Sequence, residues 1–78
     1  MRTHAAKGTV KIWHADLGWG VLTSREVDGE IWAHFSAIAE SIDASGYREL
    51  YIGDHVEFRY HRGHQDGYQY VADSVHRL

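Results

Sequence analysis

The chain contains no cysteine and no proline, and it has no long apolar run. Without cysteine there is no disulfide, no thiolate metal site and no sulfur nucleophile. Without about 18 consecutive apolar residues there is no candidate membrane-spanning helix. Without proline, the eight glycines must supply most turns and sharp bends. A strong positive balance is missing too. The formal charge is −3 with histidine neutral, so the usual electrostatic mark of a duplex-DNA binder is absent. Met1 to Ala6 lacks the apolar stretch of a signal peptide, and a cytoplasmic location is expected.

What remains is a chain of 78 residues, 44% apolar and 24% charged. That composition is ordinary for a globular protein and argues against disorder. The length suits one domain, expected over residues 7–78 behind a flexible tail of residues 1–6. So short a chain buries only about 60% of its unfolded surface, and closing a sheet into a barrel removes edges while wrapping every strand around one core. Charge is unevenly spread: residues 1–25 carry +3, residues 26–57 carry −7 and residues 58–78 carry +1. A polarised surface fits this, as do ordinary solvated faces.

Alternation with a period of two dominates, and no stretch sustains a helical period. The expected strands are Gly8 to His14, Trp19 to Arg25, Glu30 to Phe35, Asp54 to Arg62, and Tyr68 to about His76. Asp28-Gly29 and Asp66-Gly67 read as hairpin turns, because both residue types tolerate the positive φ of tight turns. Ser36 to Ile38 reads as one helical turn, and residues 39–53 as a long loop bending at Gly46 and Gly53. The facing of the last strand stays open, since Tyr70, Val71, Ala72 and Val75 cannot all share one side. Five short strands with glycine turns suggest a small closed barrel.

If the second and third strands pair, Trp19, Val21, Trp32 and His34 share one face, and Trp13 joins them if the first strand lies alongside. Leu22, Ile31, Ala33 and Phe35 then line the core. An exposed aromatic cluster is usually functional, and flat rings beside lysine and histidine suit the stacked bases of a single-stranded nucleic acid. The opposite assignment, with indoles inside and aliphatics outside, also satisfies the alternation.

Val10-Lys11-Ile12-Trp13-His14-Ala15-Asp16-Leu17-Gly18-Trp19-Gly20-Val21-Leu22 resembles the opening of the bacterial cold-shock domain, Val-Lys-Trp-Phe-Asn-x-x-Lys-Gly-Phe-Gly-Phe-Ile. Ile31-Trp32-Ala33-His34-Phe35-Ser36-Ala37-Ile38 resembles its second signature, Val-Phe-Val-His-Phe-Ser-Ala-Ile. The colinear resemblance spans residues 7–76. It implies an all-β, five-stranded antiparallel barrel of the OB-fold type that binds single-stranded RNA or DNA on strands one to three. By position, the stacking aromatics fall on Trp13, Trp19, Trp32, His34, Phe35 and Tyr47, with Lys11 the basic residue beside them. Phe35 is a point of friction, because alternation alone sends it to the core. Ile12, Val21, Leu17 and His14 replace a surface Trp, a Phe, a Lys and an Asn of the family pattern, which predicts weaker binding with altered base preference. The resemblance further implies an RNA-chaperone or transcription-related role for a monomer.

Other chemistry has little support. His61 and His64 lack a third ligand, so no metal is expected. Asp16, Glu30 and Asp54 pair with no nucleophile, and a Ser24, His34, Asp28 triad is only an assembly on paper. No enzyme activity, cofactor or small-molecule substrate is expected. Seven histidines would move the formal charge from −3 to +4 if all were protonated, so nucleic-acid affinity is expected to rise on acidification through about pH 6.5. The rival reading is a protein-interaction module, toward which the apolar Ile12, Leu17 and Val21 point.

Overall fold

The computed structural model describes residues 3–38 and 50–78. Five strands, β1 (His4–His14), β2 (Trp19–Thr23), β3 (Ile31–His34), β4 (His55–Gln65) and β5 (Tyr68–Arg77), close into a barrel in the order β1-β2-β3-β5-β4. All neighbours are antiparallel except β3 and β5, whose short parallel seam pairs Ile31 with Tyr70 and Trp32 with Val71. β1 closes the barrel because it serves two neighbours. Its first half pairs with β4 and its second half with β2, and Thr9 pairs with both.

The strand positions follow the expected alternation, with instructive shifts. β1 begins at His4 rather than Gly8. His4, Ala5 and Ala6 pair with Tyr60, Arg59 and Phe58, and Ala6 is buried, so these residues belong to the barrel and not to a tail. Alternate side chains of each strand fill one core, in which Val10, Leu22, Ile31, Val56, Phe58 and Val75 are almost completely sealed. Leu50 completes it from the stretch before β4. Burial of aliphatic side chains stabilises by about 1.5–3 kcal/mol each, which is how a domain of this size holds without staples.

Asp66-Gly67 makes the tight hairpin that its residues require, with φ of 50° and 86°. Asp28-Gly29 does not. Neither residue has positive φ, and the connection runs over residues 24–30. Asp28 instead accepts a hydrogen bond from the Tyr70 hydroxyl at 2.5 Å. The Tyr70 ring lies against Gly29, where a Cβ would meet it at 2.9 Å.

β5 resolves its facing with an irregularity. Tyr60 pairs with Ala72 and Arg59 with Ser74, which leaves Asp73 as the extra residue. An inserted residue turns the alternation over, so Ala72 and Val75 both reach the core although they are three apart. Val71 lies in register with Trp32 on the opposite face.

Candidate functional site

Strand register determines which rings meet. His14 pairs with Trp19 and Trp19 with His34; Ile12 pairs with Val21, Val21 with Trp32 and Trp32 with Val71. Directly paired residues point to the same face of a sheet. These two rows therefore lie side by side on the outside of β1-β2-β3, while Leu22, Ile31 and Ala33 fill the interior. The rings form a continuous line. Centroid separations are 4.7 Å for His14–Trp19, 6.2 Å for Trp19–Trp32, 5.8 Å for Trp32–His34 and 4.5 Å for His34–Phe35. The two middle pairs are close to parallel, at 25° and 23°.

Phe35 settles its friction on the exposed side. β3 ends at His34, and Phe35 opens a 3₁₀ turn, Phe35–Ala37, where strand alternation no longer applies. Phe35 is 45% exposed. Its backbone N–H donates to the Gly18 carbonyl at 2.8 Å, so it is tied to the β1–β2 turn. His34 caps the same 3₁₀ turn: the Ser36 backbone N–H donates to its Nδ1 at 3.2 Å.

Trp13 does not join this line. β1 shifts register between Val10 and Ile12, with Lys11 as the inserted residue. From there on the sides are exchanged, so Ile12 looks outward and Trp13 pairs with Gly20 on the interior side. Trp13 packs against the core. Its ring lies so close over Gly20 that a Cβ there would meet its Cε3 at 2.4 Å. The expectation that Trp13 shares the face of Trp19 fails because a bulge reverses the alternation. Val21 faces outward as expected but is only 1% exposed, between Ile12 and Trp32. It forms the floor of the ring line rather than a platform. Tyr47 lies outside the described residues.

Lys11 stands exposed at the bulge, and its ammonium is paired with the Glu30 carboxylate. The two residues belong to the segments flanking β2, so the pair bridges it. Glu30, as hydrogen-bond partner and as charge, raises the Lys11 pKa above the usual lysine value. Sequence reasoning missed Glu30 in this role and missed His14 as a ring of the line. The signal available for Trp13 is Gly20: a glycine between Trp19 and Val21 leaves room for a ring lying across it. Among the described residues no group of three or more His, Cys, Asp or Glu could hold a metal. His61 instead contacts Asp73 at 2.8 Å.

Comparison with known proteins points the same way. The family model described as 'Cold-shock' DNA-binding domain matches residues 6–76. The major cold shock protein of Micrococcus luteus is 38% identical over 53 residues, covering 68% of this chain and 73% of that protein. The cold shock-like protein CspD of Vibrio cholerae is 36% identical over 58 residues, covering 74% of this chain and 71% of that protein. Among solved structures, Drosophila Unr CSD456 superposes with a TM-score of 0.65 at 27% identity, covering 96% of this chain and 27% of that longer one. With its barrel, its two signature segments and this match over nearly its whole length, the chain belongs to the cold-shock domain family.

Proposed function

We propose that this protein binds single-stranded RNA or DNA by stacking bases on the ring line of Trp19, Trp32, His34 and Phe35, with His14 at its end. The observation that supports the reading most is the line itself: five rings in sequence on one outer face, each within 6.2 Å of the next. Every base offers a π face, so such a line is tolerant of sequence. Stacking is worth about 1–3 kcal/mol per base, and micromolar affinity needs about 8 kcal/mol. Several rings acting together reach that range. Trp13 serves stability rather than contact.

Binding needs no catalysis. A protein that takes the unpaired strand and not the paired one melts weak structure by mass action, which suits an RNA-chaperone or transcription-related role for a cytoplasmic monomer. Lys11 reaches a phosphate only by leaving Glu30, so few phosphates are neutralised on the ring line. Single-strand slopes run near −0.7 per phosphate, and the expected slope of log affinity against log salt is about −0.7 to −2.

The test is a titration of tryptophan fluorescence with a short oligothymidylate. Saturable quenching with that shallow slope supports stacking. No quenching, or a slope steeper than about −4, contradicts it. No quenching would favour a protein partner on the same face, where Ile12 and Leu17 are exposed at 36% and 60%.

A further inference from the structure

We propose that an open groove beyond Thr23 is a second, phosphate-binding segment of the nucleic-acid path, held by Lys7 and Arg25. The proposal rests on the reading that the ring line stacks bases. The groove encloses about 870 Å³ and is lined by Lys7, Thr9, Thr23, Ser24, Arg25 and His55, among others. It continues the ring-bearing face. Outward positions of β2 run Trp19, Val21, Thr23, and Thr23 pairs with Thr9, which pairs in turn with His55. A strand lying along β2 therefore passes from the rings over the two threonines, whose hydroxyl oxygens are 3.3 Å apart.

The lining differs in kind from the ring line. Among the described residues no indole, phenol or phenyl ring borders the groove; Thr9, Thr23 and Ser24 bring hydroxyls, Lys7 and Arg25 bring cations, and Glu26 and Leu78 also line it. That chemistry suits the sugar–phosphate backbone and not a base stack. The cations are also available. Lys11 is held by Glu30, Arg77 contacts Asp54 and His61 contacts Asp73. The Lys7 ammonium and the Arg25 guanidinium form no ion pair with any described residue.

The turn after β2 is fastened across the groove. Ser24 Oγ donates to the Lys7 carbonyl at 2.6 Å, and the Lys7 N–H donates to Glu26 Oε2 at 2.8 Å. These bonds tie the segment that carries Arg25 to Lys7 and engage the Glu26 carboxylate of the lining. Glu57, in register with Lys7 on β4, is a further acid on this side.

The experiment compares oligothymidylates of about five and about nine nucleotides, lengths within the range of a single OB-fold site. It uses the wild-type chain, the double variant Lys7→Gln/Arg25→Gln and the control Arg59→Gln, which removes a cation outside the groove. For the wild type, the longer oligomer is expected to bind more tightly, with a salt slope steeper by about 1.4, two phosphates at about 0.7 each. The double variant is expected to lose that increment and leave the short oligomer unchanged. Its deficit against the wild type on the long oligomer then widens about 25-fold between 1 M and 0.1 M salt. Arg59→Gln is expected to change neither. A double variant that keeps the extra affinity and slope overturns the groove, as does an equal loss in Arg59→Gln. If the short oligomer fails to bind the wild type, the ring-line reading falls and the groove with it; loss of the length increment alone leaves the rings standing.

Discussion

Trp13→Ala separates a structural tryptophan from a binding one. Trp13 packs against the core and lies across Gly20. Full truncation of a buried tryptophan costs about 3–5 kcal/mol. Trp13 is only partly buried, so about half of that, ~2 kcal/mol, is expected. A domain this size has a total stability of roughly 4–12 kcal/mol, so the variant still folds. At about 4–8 °C per kcal/mol for such domains, its Tm should fall by about 8–16 °C. Urea unfolding by far-UV circular dichroism measures the loss, and an oligothymidylate titration of the folded variant measures binding. The expected result is a large drop in midpoint with affinity within about twofold of wild type, against the ~5-fold or greater loss that removal of one stacking ring implies. Gly20→Ala should be similarly destabilising, because the new Cβ meets the Ile12 carbonyl oxygen at 2.3 Å as well as the ring. A Trp13→Ala protein with unchanged stability and a binding loss as large as that of Trp19→Ala would refute the bulge-based assignment.

The other predictions concern charge and the turn after β2. Glu30→Gln frees Lys11 for phosphate, so affinity for a short oligothymidylate should rise up to about fivefold at low salt and the salt slope steepen by about 0.7; an unchanged or weaker affinity in a filter-binding assay would count against the paired Lys11. Tyr70 donates to Asp28, and that bond, followed by burial, raises its phenol pKa above the usual tyrosine value. A raised folded-state pKa contributes stability that is complete below the unfolded value and is lost as pH rises through the folded one. Stability should therefore hold through neutral pH and fall above about pH 10. Tyr70→Phe should reduce the part of that fall due to Tyr70, and an identical alkaline profile from chemical denaturation would exclude the phenol as its source. Lys11, raised by Glu30, acts with the same sign in the same range, so Glu30→Gln should also flatten it.

Much of the barrel was legible because a period of two is what a half-buried strand requires. Val56 and Phe58 alternate with His55, Glu57 and Arg59, and the interior takes the apolar set. Trp19, Trp32 and His34 were placed on their face by the same rule, since β2 and β3 pair without interruption. The misplacement of Trp13 and the open facing of β5 share a physical cause. One inserted residue reverses every side chain that follows, and a period of two in sequence carries no mark of the insertion. Lys11 in β1 sent Trp13 inward and Ile12 outward; Asp73 in β5 admitted both Ala72 and Val75 to the core. Phe35 was ambiguous because the strand ends one residue before it. Asp28-Gly29 misled because a turn signal reports backbone tolerance and says nothing of the bond from Tyr70 to Asp28, whose partners lie 42 positions apart. The pairing of Lys11 with Glu30 joins residues 19 positions apart and depends on both flanking β2.

The most direct test is calorimetric titration of a short oligothymidylate into folded Trp19→Ala and Trp32→Ala proteins. Each ring removed should weaken binding by about 5- to 150-fold, the equivalent of about 1–3 kcal/mol of stacking per base, while the unfolding midpoint moves less than in Trp13→Ala. Two well-folded variants that bind as tightly as the wild type would contradict the account.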